Sequence, residues 1–269
     1  MRFGGWLMGL LCLIALGAAQ AQSAYDARKI VDTMLAHEGD PAEHRYKYMY
    51  ISEERSDRTG GHLWKEQVVE TARGKIRLLV AEDGKPLSPE RVAREKARLA
   101  DIAAHPAAFE RREQATNSDE QHAEQMLVLL GKAFLFDEPR MEGEDLKIPY
   151  RPDPAYQPKT MEEKVLHAMS GWVLVDEKTM QLHRIEGKTP TDISLGYGIL
   201  GTIHAGSSFA TAHEMEPGGE WKDAMVNTAI EGKAMLFKEI GKNEQVVHSE
   251  FKRLADDISV ADAVALLMK

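Results

Sequence analysis

Cysteine is almost missing from this chain. Of its 269 residues only Cys12 is one, and it falls inside an apolar run from Trp6 to Leu16. Arg2 precedes that run with one positive charge, and Ala19-Gln20-Ala21 follows it with a small-x-small triplet. Charge, short apolar stretch and small triplet in that order are the pattern of a cleavable secretory leader. Residues 1–21 are therefore expected to be a signal peptide, with the exported chain starting near Gln22. The run is shorter than the roughly 20 apolar residues of a stable bilayer-spanning helix, and no transmembrane segment is expected after it. Leu10 and Leu11 stand where a lipoprotein signal needs small residues, which argues against lipidation at Cys12. Residues 22–269 contain no cysteine, so disulfides and thiolate metal sites are excluded there. An exported chain that needs no covalent staples fits a bacterial periplasm or exterior better than a small disulfide-rich secreted domain.

Basic residues are also in deficit, with 34 Lys and Arg against 43 Asp and Glu. Loss of Arg2 with the leader makes the formal balance one unit more acidic than −9. No electrostatic footprint for nucleic acid exists in such a chain, because that binding rests on neutralising phosphates. Anionic lipid headgroups should repel it as well. Internal repeats, low-complexity tracts and long linkers are absent, which leaves one domain over residues 22–269.

Turn residues at short intervals, with alternating runs between them, point to antiparallel strands. Residues 44–54 place Tyr46, Tyr48 and Tyr50 on one face, with Lys47, Met49 and Ile51 on the other. After the 57–61 turn, residues 62–71 and 75–81 complete a three-strand meander. Further strands are expected over 171–176, 180–186, 208–215, 221–230, 233–239 and 245–251. Turns are assigned to Glu177-Lys178-Thr179, Pro217-Gly218-Gly219 and Glu231-Gly232. Helical periodicity appears over 25–38, through Ile30, Val31, Met34 and Leu35. Ser88-Pro89 opens a charged, exposed helix whose thin stripe is Val92, Leu99, Ile102 and Ala103. Ser118 and Gln121 form a capping box before Ala123, Met126, Leu127, Leu130 and Phe134. Ser259 caps a short final helix, with Asp262 at the box position before Val264, Leu267 and Met268. Residues 137–160 carry five prolines and read as irregular or edge structure. The expected class is α+β: a large curved antiparallel sheet, or half-barrel, with an N-terminal helix, a helical insertion over 88–135 and a short C-terminal helix.

Several motifs look like chemistry and do not hold up. Gly196-Tyr197-Gly198-Ile199-Leu200-Gly201 spells a dinucleotide fingerprint, but the required following helix is broken by Gly206. It reads as a bend between strands, and no cofactor is expected. Gly206-Ser207-Ser208-Phe209-Ala210 approximates a nucleophile elbow, yet Phe209 to His213 alternate like a strand. Ser249-Glu250-Phe251-Lys252 lacks the companion motifs of its enzyme class. His213-Glu214 fails as a zinc motif because Pro217 takes the second histidine position, and His204 with His213 is the remaining metal pair weighed. Glu142, Glu144 and Asp145 lack calcium-loop spacing and read as a solvated run. No metal site and no enzymatic activity are expected. Trp64, Trp172 and Trp221 each sit in or beside a strand. With Phe209 and Met225 they are the candidate ligand-binding residues, as an aromatic lining suits an apolar ligand.

The segment holding Trp172, Asp176, Thr179, Leu182 and Arg184 resembles a hairpin of periplasmic LolA/LolB-like proteins, a group that includes outer-membrane lipoprotein carriers and RseB-type sensors. The N-terminal helix before a meander is similar too, so the likeness covers mainly residues 25–82 and 165–251. It implies a curved half-barrel closed by helices around a cavity for acyl chains. The 88–134 helical stretch departs from that family by its length, and would line, plug or replace the cavity. No binding residues carry over. Two functions are expected on these grounds: an exported, non-enzymatic carrier of a lipid acyl chain or lipoprotein, or an envelope module that contacts a protein partner through a filled domain.

Overall fold

The structure, a computed structural model, describes residues 26–39, 47–116, 127–196, 200–216, 219–234 and 238–269. The expected leader, Tyr46, the Ser118–Gln121 capping box, Ala123, Met126 and the Pro217-Gly218 turn lie outside these residues.

The chain opens with α1 (Ala27–Glu38), capped by Asp26, whose side chain accepts from the Lys29 N–H. The expected meander follows as β1 (Tyr48–Arg55), β2 (Trp64–Thr71) and β3 (Gly74–Glu82), extended by β4 (Lys85–Pro86). Asp83 and Gly84 link β3 to β4 with φ of 49° and 72°, as a two-residue hairpin with matching twist requires. Next come α2 (Pro89–Ala104), α3 (Pro106–Thr116) and a helix, α4, described over residues 127–133. The second half runs through β5 (Phe134–Phe136), β6 (Arg140–Glu142), β7 (Asp145–Pro152), α5 (Met161–His167), β8 (Ser170–Asp176) and β9 (Leu182–Lys188). A small hairpin of β10 (Ile193–Leu195) and β11 (Gly201–Ile203) precedes β12 (Ser208–Met215), β13 (Trp221–Ala234), β14 (Lys238–Arg253) and α6 (Val260–Leu267).

All described pairings are antiparallel, and the strands form one open sheet in the order β4-β3-β2-β1-β14-β13-β12-β9-β8-β7-β5. The α+β class therefore holds, with the sheet unclosed. Several local expectations hold with it. Ser88 and Ser259 cap α2 and α6 by accepting from Arg91 N and Asp262 N. The 196–201 glycine segment falls between the antiparallel strands β10 and β11, with Tyr197, Gly198 and Ile199 outside the described residues.

Other expectations are corrected. Residues 137–160 are irregular only in part: 153–160 form no strand or helix, whereas β6 and β7 pair near the end of the sheet and Asp145 to Tyr150 also pair with β8. Pro149 is tolerated there for a specific reason: its carbonyl accepts from Asp137 N–H at 2.9 Å. Its nitrogen points the same way, away from β8 and toward Asp137, where β7 changes partner from β6 to β5, so the ladder with β8 loses no donor. Phe134 starts a strand and does not continue the helix before it. Helix α3 falls inside the expected 88–135 helical insertion, whereas α5 was not foreseen, although Thr160 caps it through Glu163 N. Glu231-Gly232 is no turn: β13 runs straight through it. A Cβ at Gly232 would stand 2.5 Å from Thr202 O, so the glycine admits the close backbone approach of β11.

Cross-strand register fixes which side chains share a face. Directly opposed residues point the same way, and one row runs Glu82, Trp64, Glu54, Val246, Val226, Thr211, Ile185, Val173, Ile148. At the β7–β9 end this face is covered by α1 and α4. Ile30, Val31, Met34, Leu129, Leu130 and Ala133 there pack on Leu146, Ile148, Val173, Val175, Leu182 and Ile185. At the other end the opposite face is covered. Val69 and Ile76 alternate with Val68 and Arg77, and they pack under Leu99, Ile102, Phe109, Val260, Val264 and Leu267. Helix α2 is anchored through Leu99 and Ile102 and is otherwise largely exposed, as its charges suggested, although Val92 of the expected stripe is exposed too. Each buried Val or Leu contributes roughly 1.5–3 kcal/mol, so both helix pairs are firmly held.

Glycines shape the first core. Tyr150, Gly171, Gly187 and Phe209 oppose one another across β7, β8, β9 and β12. The Tyr150 hydroxyl donates to Glu186 O at 2.8 Å, and Phe209 lies against Gly187. A Cβ at Gly171 would meet Glu186 O at 1.8 Å, and one at Gly187 would meet Phe209 Cε1 at 2.3 Å. Ring atoms can shift, whereas a backbone carbonyl in a ladder cannot. Gly171→Ala should therefore destabilise by about 3 kcal/mol and Gly187→Ala by about 1–2 kcal/mol in urea melts. Equal stability of Gly171→Ala and the parent would refute this packing.

Candidate functional site

The five candidate ligand-binding residues do not line one cavity. Trp64 and Phe209 share the face covered by α1, but on strands six and two positions from β8 in the sheet order. Trp172 neighbours Val173 and Met225 neighbours Val226, so both face the other way. Trp64 is flanked by guanidinium groups, Arg58 Cζ at 5.3 Å and Arg91 Cζ at 5.7 Å from its ring centre. Trp172 lies between Lys147 Nζ at 4.2 Å and Arg184 Cζ at 5.8 Å. Such stacking with cations is favourable at a wet surface. Phe209 is packed against the first core. Met225 opposes Val247 on β14, which is half exposed.

Trp221 occupies a different setting. The ends of β7, β8, β9, β12 and β13 meet around a cleft of about 420 Å³ lined by Glu144, Asp145, Asp176, His183, Glu214, Met215 and Trp221. Four carboxylates thus surround an indole and a thioether. His183 Nδ1 stands 2.8 Å from Asp145 Oδ2, and its ring centre lies 5.3 Å from that of Trp221. Asp176 accepts from Lys178 N, Thr179 N and the Thr179 hydroxyl, which fixes the β8–β9 turn and holds its carboxyl below the usual range against the opposing effect of burial. Beside the cleft, burial and then the Glu214 charge push the Glu216 carboxyl upward, with Lys222 opposing. The Trp221 Nε1 is buried with no hydrogen-bond partner among the described residues. A negative cleft that also offers an indole and a thioether can bind a cation that carries apolar surface. Its lining offers no hydroxyl or thiol nucleophile.

Several residues flagged separately in the sequence meet here: the acidic run through Glu144 and Asp145, the Trp172 hairpin through Asp176 and His183, Glu214, and Trp221. Other flagged residues do not meet. His213 Nε2 pairs with Asp223 at 3.1 Å, while His204 lies 3.9 Å from Asp192. Ser207 bonds the backbone of Glu231 on β13 and ties a strand corner. Among the described residues, the group whose ligand atoms converge as a metal would require is His62, Glu82 and Asp83, none of them foreseen.

A second polar cluster sits beneath the β1–β14 junction. Tyr50 packs on His248 at 4.7 Å and on Phe251 at 5.1 Å between ring centres. The Tyr48 hydroxyl donates to Glu220 Oε2 at 2.6 Å. Burial pushes the Tyr50 hydroxyl up to about 12. Burial also moves His248 below its ordinary 6.5, partly offset by the Asp223 carbonyl 2.8 Å from its Nδ1. These groups are locked in packing and serve the sheet.

Compared with known proteins, the chain matches no family model, no curated protein and no solved structure.

His248 gives a pH dependence with a definite sign. The folded protein keeps this imidazole neutral to lower pH than the unfolded chain does. Its contribution is complete above 6.5 and is lost as pH falls below that value toward the depressed folded pKa. His248→Gln should shrink the difference in melting temperature between about pH 7.5 and about pH 5. An unchanged difference would clear His248 of this role.

Proposed function

We propose that this chain is an exported, non-enzymatic binding protein that recognises a basic segment of an envelope protein partner at the Trp221 cleft. One observation carries the reading: four carboxylates gathered around an indole and a thioether, in a cleft large enough for one extended cationic side chain and its neighbours. Uptake of a lipid acyl chain has less support. It would require displacing α1 and α4 from Leu146, Ile148, Val173 and Val175, all fully buried beneath them.

Lys and Arg side chains suit the cleft because they pair a charge with an aliphatic stem. Long-range attraction to a chain of net charge −9 would speed encounter and make it salt-sensitive. A short oligolysine peptide, titrated against tryptophan fluorescence at low salt, should bind saturably and weaken as ionic strength rises. Trp221→Phe should remove most of the signal. Combined Asp145→Asn and Glu214→Gln should weaken binding about tenfold, or ~1.4 kcal/mol. No saturable signal, or identical affinity in the double variant, would overturn the proposal. Uptake of a fatty acid without peptide binding would favour the carrier reading in its place.

A further inference from the structure

We infer that His62, Glu82 and Asp83 form a binding site for a divalent transition cation of the zinc class. The site is separate from the Trp221 cleft and does not depend on that reading. Turn geometry brings the three residues together. Asp83 opens the two-residue β3–β4 turn at φ 49°. Its N–H donates to Leu63 O at 2.8 Å, while Leu63 N–H donates back to Asp83 Oδ1 at 2.9 Å. This reciprocal pair clamps the turn to the start of β2, directly beside His62. Glu82 precedes the turn, opposite Trp64 in the register.

Each carboxylate has one oxygen engaged by the protein and the other turned toward the imidazole. Asp83 Oδ1 is held by Leu63 N–H, and Oδ2 lies 2.7 Å from His62 Nδ1. Glu82 Oε2 is ion-paired with Arg91 Nη1 at 2.5 Å, without a hydrogen bond, and Oε1 lies 3.9 Å from His62 Nδ1. Outer partners that fix the ligating groups in this way are the usual support of metal sites. The three ligand atoms all lie within 4.8 Å of one another. In a four-coordinate site with bonds of about 2.0–2.1 Å, ligand atoms stand about 3.3 Å apart. Small rotations of the exposed His62 and Asp83 and the half-buried Glu82, opening the 2.7 Å edge and closing the 3.9 Å edge, reach that triangle. An imidazole with two carboxylates suits zinc-class ions, whereas calcium takes six to eight oxygens. The fourth position faces solvent, open to water or to a side chain from another molecule.

The test is calorimetric titration of the metal-stripped protein with zinc chloride, with cobalt(II) absorption as a second readout. One ion per chain should bind saturably, and cobalt should give the visible bands of a low-coordinate nitrogen–oxygen site. His62→Ala and Asp83→Asn should each weaken binding at least tenfold; Asn retains the left-handed turn, which keeps that variant folded. Arg91→Ala should weaken it about tenfold through Glu82. His105→Ala should change nothing, since that exposed imidazole lies outside both sites and pairs with the Asp101 carboxylate. No uptake by the parent at millimolar zinc, or equal losses in His62→Ala and His105→Ala, would overturn the inference.

Discussion

The ladder between β1 and β14 turns two meanders into one molecule. It runs from Tyr48 opposite Arg253 to Arg55 opposite Gln245 and joins segments almost two hundred positions apart. Closing so long a loop costs entropy that grows only slowly with length, and the interactions gathered at the junction offset it. Tyr48 and Tyr50 pack on Phe251, Tyr50 also packs on His248, and the Tyr48 hydroxyl reaches Glu220 at the entry to β13. The register shift between Met49 and Ile51 is absorbed near Glu250, whose φ is 58°.

From that junction follows the placement of the helices. Once β14 is paired, α6 leaves its end and lands on the face of β2 and β3 that α2 also covers. The other half of the chain uses the opposite face, under α1 and α4. A single sheet thereby serves as the wall of two cores, one on each side. Buried charge is managed at the meander end of the sheet. Burial opposes ionisation of Glu54, but hydrogen bonds from Arg58 and Ser56 outweigh it and hold the carboxyl below its usual range. Arg58 reaches Glu66 as well at 2.7 Å, so two buried carboxylates share one guanidinium.

Much of the scaffold could be read before the structure. Alternation in β1, β2 and β3, the serine caps of α2 and α6, and the strand character of residues 208–215 all rest on contacts within a few residues. The misses have physical causes too. Pro149 looked like a strand breaker because the gap between β6 and β5 is a tertiary feature. Gly232 looked like a turn because its close approach to Thr202 belongs to another strand. Trp64, Trp172, Trp221, Phe209 and Met225 looked like one lining, yet strand parity and sheet order separate them. The cleft was visible only in fragments, since Glu144, Asp176, His183, Glu214 and Trp221 come from five strand ends. His62 and Asp83 gave even less warning: nothing local says that a residue two positions before β2 meets the turn after β3.

What the sequence determined by itself was the class: an acidic chain, without cysteine after residue 12, built of antiparallel strands with capped helices. Composition, periodicity and capping act over one or two turns of chain, and their energies do not depend on distant partners. Which face each helix covers, which carboxylates converge on Trp221 and which ligand atoms surround His62 were decided by tertiary structure alone. Those outcomes depend on strand order and register, and a register shift of one residue sends every side chain to the other face.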